Sequence, residues 1–367
     1  MKFLVTSDQH LGHKLYNFPE LENDARSLFS SVVNTAIELG VDCFVSVGDL
    51  FDNNRPSSEL IDFVSFELRK LTAAGIKAVA IAGDHSKPLD GVTWEKVCGF
   101  APINTVPEFV GIDYNDNPKQ TLTLLNAELN SRPANSVNFV FMHQQIPELW
   151  PFCDDKKIIN LKDIDFSNHC SSMKAVFLGD IHKRREMWYK DPICNSQVFI
   201  GYCGSLSVTA SDETEKEGLY LWDSAQASPL SLVEYTLPRK FVQLEVDQAN
   251  IDKLFKSQYE QYADATARPV FICKYSPEVS DQLSKLNFLY DLGIVKFTRV
   301  KSEGAAEEEY INIRSELKTT ERISAVLKNL TNGKKDNDTL YDFAHRLLFE
   351  EDSTKVLDEL KLNYLEK

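Results

Sequence analysis

Short apolar runs alternate with amphipathic stretches through the first hundred residues. Phe3-Leu4-Val5-Thr6, Cys43-Phe44-Val45-Ser46-Val47 and Ala78-Val79-Ala80-Ile81 are apolar runs of strand length. Between the first two, Leu28, Val32, Val33, Ala36, Ile37 and Leu39 recur at helical spacing within Glu22 to Leu39. Between the second and third, Leu60, Ile61, Val64, Leu68 and Leu71 do so within Ser58 to Ala74. Apolar strands separated by helices covered on one face predict an α/β domain with a largely parallel core sheet.

Further along, strand signals become denser. Phe139-Val140-Phe141-Met142, Ala175-Val176-Phe177-Leu178, Gln197 to Tyr202 and Gly218 to Trp222 predict a second sheet. After Pro238 the pattern changes again. Phe241 to Val246, Val270 to Tyr275 and Val295 to Val300 read as strands, with helices over Ile251 to Tyr262 and Val279 to Leu292. The segment SEGAAEEE, Ser302 to Glu309, reads as an acidic linker. From Thr319 the chain is charged and helical, with breaks at Asn332-Gly333 and Asp352-Ser353. The expected organisation is a main domain at 1–237, a small α/β cap at 238–301, the linker at 302–309 and a helical segment at 310–367.

Composition narrows the function. A chain of 367 residues suits two or three domains, and 43% hydrophobic with 26% charged residues argues against disorder. The net charge of −15 is unlike that of a protein that holds nucleic acid through general basicity. A polyanionic substrate would therefore need local basic groups, metal ions or a partner. Seven cysteines without a C-x-x-C pair predict neither a disulfide framework nor a zinc ribbon, and suit a reducing cytoplasm. Asp8 ends the short N-terminal apolar run, so no signal peptide is expected there, and no stretch approaches the ~20 apolar residues of a membrane span.

The chemistry gathers where strands end. Asp8 and His10 follow the first strand, Asp49 and Asp52 the second, and Asp84 and His85 the third; His143 follows a fourth, and Asp180 and His182 a fifth. An α/β sheet builds its site beyond the carboxyl ends of its strands. One such residue is ordinarily a turn or a core histidine. Five strand ends in succession, using four of the seven histidines, point to a metal centre. Carboxylate and imidazole ligands without thiolates suit manganese, iron or zinc and tolerate magnesium.

The order D-x-H, G-D-x-x-D, G-D-H, H, G-D-x-H resembles that of the calcineurin-like metallophosphoesterases. Ser7-Asp8-Gln9-His10-Leu11-Gly12, Gly48-Asp49-Leu50-Phe51-Asp52, Met142-His143-Gln144 and Tyr202-Cys203-Gly204-Ser205 look like the SbcD nuclease subunits among them, and the compact length resembles the bacteriophage versions. The resemblance implies a two-sheet sandwich flanked by helices, with the small α/β cap and the helical segment appended. It implies a metal-dependent DNA phosphodiesterase, exonuclease on duplex ends and endonuclease on single strands, acting in recombination, replication or repair. Two divalent cations are implied, manganese first and magnesium as the alternative. One would sit on Asp8, His10, Asp49 and His182, the other on Asp49, Asp84, His143 and Asp180. His85 would serve as the acid beside the scissile phosphate, with Asp52 orienting it; alternatively, Asp52 caps the next helix. The implied partners are DNA and an SbcC-type coiled-coil ABC ATPase, reached through the C-terminal helices by a homodimer within a heterotetramer, with no membrane.

Three positions depart from the pattern. Asp84 stands where the family usually has Asn, Asp180 where it often has His, and Ser86 where Asp is common. His13 and Lys14, and Lys183, Arg184 and Arg185, flank the motifs; they contact phosphates or are solvated loop charge. Trp150 and Phe152 suit base stacking or, more simply, a core. Two competing functions stay open: a small-molecule or protein phosphoesterase of the same superfamily, and a non-catalytic scaffold.

Overall fold

The computed structural model describes residues 1–86, 92–154, 156–209, 218–265, 267–300 and 310–311. The chain divides into two compact units, Met1–Lys240 and Phe241–Lys367.

In the first unit, β1 (Lys2–Thr6), β2 (Cys43–Val47), β3 (Lys77–Ile81) and β4 (Ala101–Pro102) run parallel, in that spatial order. A second sheet contains β5 (Phe109–Ile112), β6 (Phe139–His143), β7 (Ala175–Gly179), β8 (Arg185–Lys190) and β9 (Gln197–Tyr202), in the order β5-β6-β7-β9-β8. The chain then returns to the first sheet. There β10 (Gly218–Asp223) lies antiparallel to β1, and β11 (Leu230–Glu234) lies at the edge. The density of strand signals after residue 139 therefore feeds two sheets.

Alternation along each strand explains why both faces read as apolar. Leu4 and Phe44 pack with α1 (Pro19–Leu39) and α2 (Ser58–Ala73) on the outer face. Phe3, Val45 and Val79 point the other way and meet Phe109, Phe139, Phe141 and Phe177 of the second sheet. Phe3 packs edge-on against Phe139, with ring centroids 4.8 Å apart. The short α3 (Trp94–Cys98) follows β3, and α4 (Pro118–Ser131) covers the outer face of the second sheet through Leu125 and Leu129. The result is a helix-sheet-sheet-helix sandwich, as the family resemblance implies.

One cysteine expectation is corrected. Cys170 and Cys194 form a disulfide, with Cα atoms 4.9 Å apart. The bond joins the turn after Ser167–His169 to the hairpin between β8 and β9, a pairing that a spacing of 24 residues does not reveal.

In the second unit, β12 (Phe241–Val246), β13 (Val270–Tyr275) and β14 (Ile294–Arg299) run parallel, and β15 (Tyr310–Ile311) pairs antiparallel with β14. The helices α5 (Leu254–Tyr262) and α6 (Leu289–Leu292) accompany them. A 3₁₀ stretch over Pro277–Leu286 takes most of the second expected helix. The expected linker at 302–309 lies outside the described residues, as does the helical segment apart from Tyr310 and Ile311. Among the described residues, no helix is long and apolar enough to cross a membrane.

Candidate metal centre

Strands β1, β2, β3, β6 and β7 deliver the site, and the backbone is specialised where they end. Asp8 (φ 50°), His10 (φ 43°), Asp49 (φ 52°) and Asp180 (φ 86°) all adopt left-handed conformations. Each costs roughly 1–3 kcal/mol, a strain that collects at functional sites. Main-chain bonds hold the turns together, from Asp8 N–H to the Gly48 carbonyl at 3.2 Å and from His10 N–H to the Asp49 carbonyl at 3.0 Å. The glycines before the ligands allow close approach. A Cβ at Gly83 would lie 2.1 Å from Asp49 Oδ1, and one at Gly179 would lie 2.5 Å from His143 Nδ1.

His143 lies at the centre. Its Nδ1 donates to the Val47 carbonyl at 2.9 Å, which turns Nε2 toward the acids. Nε2 is 3.3 Å from Asp49 Oδ2, 3.3 Å from Asp84 Oδ1, 3.9 Å from Asp180 Oδ1 and 4.0 Å from Asp8 Oδ1. On the other side, His10 Nε2 lies 3.7 Å from Asp49 Oδ2 and 3.0 Å from His182 Nε2, whose Nδ1 meets Thr209 Oγ1 at 2.7 Å. Asp49 thus stands between two groups of donors.

The residues fit divalent cations. His143 Nε2 is buried among four carboxylates without a hydrogen-bond partner. Ligating atoms of Asp8, His10 and His182 lie within 4.8 Å of one another, and so do those of Asp84, His143 and Asp180. Buried carboxylates and imidazoles arranged in this way are hard-to-borderline donors.

The electrostatics follow from burial and crowding. Burial pushes Asp8 up to about 6 against the pull of His143 and His182. Burial also lowers His10 to about 3. Burial would lower His143 as well, but Asp49, Asp84 and Asp8 outweigh it and raise its pKa well above the ordinary value. Cation binding must release that proton, since only the deprotonated ring nitrogen donates a lone pair.

His85 lies exposed at the rim. Its main-chain N–H donates to Asp49 Oδ1 at 3.0 Å, and its ring Nδ1 meets the Asp52 carbonyl at 2.5 Å. A carbonyl only accepts, so Nδ1 carries the proton and Nε2 is the atom left for a substrate. Asp52 therefore holds His85 through its main chain. Its carboxylate goes instead to His13 Nδ1 at 2.9 Å and approaches His10 Nδ1 at 3.7 Å. The helix-capping alternative does not apply, because Ser57 caps α2 by accepting from Leu60 N–H at 3.3 Å.

The other expected residues are more dispersed. Lys14 Nζ lies 3.6 Å from Glu22, and Arg184 pairs with Glu186 at 3.2 Å. Arg185 stacks over the Trp150 ring at 5.5 Å, and Lys183 is partly exposed. Trp150 packs at the margin of the β6–β7 core, whereas Phe152 is 81% exposed. The Tyr202 to Ser205 segment braces the site. Tyr202 Oη donates to the Gln144 carbonyl at 3.1 Å, and Ser205 Oγ donates to the Asp8 carbonyl at 3.0 Å.

Two groups near the site escaped the sequence reading. Lys157, from the loop after β6, pairs with Asp84 Oδ2 at 2.7 Å and also with Asp180 Oδ1. Burial would lower its pKa, but Asp180 and Asp84 raise it instead. No motif marks it. The other is Glu95, 2% exposed on α3. Burial pushes Glu95 up to about 7 from 4.5, and Asp113 and Asp49 add to the rise. Between those two pH values the folded chain holds one more proton than the unfolded chain, so stability falls as pH rises through that window. Glu95→Gln should therefore stabilise the protein at pH 8 by up to roughly 3 kcal/mol and change little at pH 4. Urea unfolding at the two pH values measures this, and an equal effect at both would remove Glu95 as its source.

Comparison with known proteins identifies the architecture. The calcineurin-like phosphoesterase family matches residues 1–191, just over half of the chain. The chain belongs to this family. A DNA double-strand break repair protein Mre11 from Sulfurisphaera tokodaii is 30% identical over 205 residues, covering 50% of this chain and 49% of that protein. The Mre11 of Sulfolobus acidocaldarius is 24% identical across 397 aligned positions, with 98% of each chain covered. The match thus spans about half of the first relative and nearly all of the second. A dimetal phosphatase from Danio rerio shares 14% identity with a TM-score of 0.41, over 60% of this chain and 91% of that one. Membership of the family implies divalent metal ions held by the Asp and His clusters.

Proposed function

We propose that this phosphoesterase is a metal-dependent nuclease acting on DNA phosphodiester bonds, working with an SbcC-type coiled-coil ATPase in the cytoplasm. The observation that carries the catalytic reading is the cluster around Asp49, where donors from five strand ends converge beneath an exposed His85. The DNA reading rests on likeness to proteins named for double-strand break repair and on the second α/β unit. Asp8, His10, Asp49 and His182 would hold one cation, and Asp49, Asp84, His143 and Asp180 a second, with manganese the preferred ion. The bound cations would polarise the ester and acidify the attacking water.

The chain's own groups do the rest. Val47 fixes the His143 ring through Nδ1, and Thr209 meets Nδ1 of His182, so each presents Nε2 to the centre. The Asp52 carbonyl and Asp49 carboxylate fix His85 at ring and main chain. Its Nε2, when protonated, is placed to give a proton to the leaving oxygen. With a net charge of −15, the isolated chain should hold DNA weakly and lose it in modest salt, which gives the ATPase partner its role in delivery.

The test is incubation of the full chain, with and without manganese, on linear duplex DNA, single-stranded circles and a chromogenic phosphodiester. Manganese-dependent loss of DNA is the expected result. Turnover of the small ester alone would replace this reading with a small-molecule phosphoesterase, and no turnover of any substrate would favour the scaffold.

A further inference from the structure

Lys157 occupies an unusual place for an ammonium group. It reaches into the half of the cluster formed by Asp84, His143 and Asp180, and its side chain is 18% exposed. The backbone that carries it is fixed. Gln145 N–H donates to the Lys157 carbonyl at 3.0 Å, and Ile159 N–H donates to the Gln145 carbonyl at 3.0 Å, so a short parallel bridge follows β6. The Nζ lies 5.6 Å from the centroid of the Tyr114 ring.

The oxygens it contacts are the ones a cation would use. Asp84 offers Oδ2 to Lys157 and Oδ1 to the His143 side. Asp180 pairs through Oδ1 with Lys157 and accepts at Oδ2 from Gln145 Nε2 at 2.5 Å. Both Asp180 oxygens are therefore engaged by the protein. In the other half of the cluster, Asp8 Oδ2 accepts from Ser7 Oγ at 2.5 Å and His182 Nδ1 meets Thr209 Oγ1 at 2.7 Å, both of them neutral hydroxyls. Like charges a few ångströms apart repel strongly where water is scarce.

We infer that Lys157 is a built-in competitor for the second cation position, so that one divalent ion binds tightly beside Asp8, His10 and His182 and another binds only by displacing the lysine from Asp84 and Asp180. This rests on the reading of the cluster as a metal centre. It makes the two positions unequal, and it makes occupancy of the second depend on cation concentration.

The experiment measures binding rather than turnover. Manganese is titrated by isothermal calorimetry into metal-stripped full-length wild type, Lys157→Met and Lys157→Arg, with circular dichroism to confirm folding. Wild type should bind one ion tightly and a second at least about tenfold more weakly, a modest share of what one unit charge contributes at this range. Lys157→Met keeps an apolar stem and removes the charge, so the second ion should tighten by about tenfold or more while the first changes little. Lys157→Arg should retain the inequality. Electron paramagnetic resonance of wild type gives an independent check that needs no variant. One equivalent of manganese should give an isolated six-line signal, and a spin-coupled pair should appear only in excess. Two equally tight ions in wild type, or a coupled pair at one equivalent, would overturn the proposal. An unchanged second ion in a folded Lys157→Met would do so too. No manganese binding in any of the proteins would instead sink the metal-centre reading itself, and the competitor role with it.

Discussion

Replacing His85 with glutamine is expected to cut phosphodiester hydrolysis by roughly two to four orders of magnitude while leaving the manganese stoichiometry unchanged. The reason lies in how the ring is held. Nδ1 meets the Asp52 carbonyl at 2.5 Å, so that nitrogen is committed as a donor and does not face a cation as a ligand. The main-chain N–H is tied to Asp49 Oδ1 at 3.0 Å, a bond that glutamine keeps. The substitution therefore removes a proton donor and leaves the carboxylates in place. Asp52→Asn is the informative companion, because it keeps the carbonyl that holds His85 and weakens the ties of the carboxylate to His13 and His10. It should cost much less activity than His85→Gln. Metal loss in His85→Gln would recast the histidine as a ligand, and near-normal rates would take it out of the mechanism.

The strand ends were legible in the sequence because two periodicities coincide there. An apolar run such as Phe139 to Met142 must stop where the sheet stops, and the first polar residue after it, His143, is fixed at the sheet's carboxyl edge. The same reasoning places Asp8, Asp49, Asp84 and Asp180. The glycines before three of these, Gly48, Gly83 and Gly179, were visible too, and the crowding around them shows why a side chain is not accommodated. Lys157 was not legible, because its place depends on a loop that leaves β6 and folds back through the Gln145 bridge. Nothing in a lysine between polar neighbours signals that return. The main-chain role of Asp52 was hidden for a different reason: sequence motifs report side chains, and here the carbonyl makes the contact. The return of β10 to pair with β1 depends on long-range register, which local alternation does not encode.

Asp49→Asn should have the largest effect on the centre as a whole, because this one carboxylate serves both halves. Oδ2 lies 3.3 Å from His143 Nε2 and 3.7 Å from His10 Nε2, while Oδ1 accepts from His85 N–H. The other acids take part in fewer of these contacts. An amide of the same shape keeps one acceptor but loses the charge, and its NH₂ would turn a donor toward either a ring nitrogen or the His85 N–H. Two consequences follow. Manganese stoichiometry should fall below that of wild type, and hydrolysis with it, since neither half keeps its shared anion. The metal-stripped protein should also lose stability, because Asp49 is the foremost of the carboxylates that hold the buried His143 imidazolium. The loss should be less than the roughly 3–5 kcal/mol of a buried ion pair broken outright, because Asp8 and Asp84 still face that ring. Urea unfolding in chelator, alongside metal counting by mass spectrometry, reads both effects on one preparation. A folded Asp49→Asn that binds as many ions as wild type, at the same affinity, would show that the two halves of the cluster do not share this carboxylate.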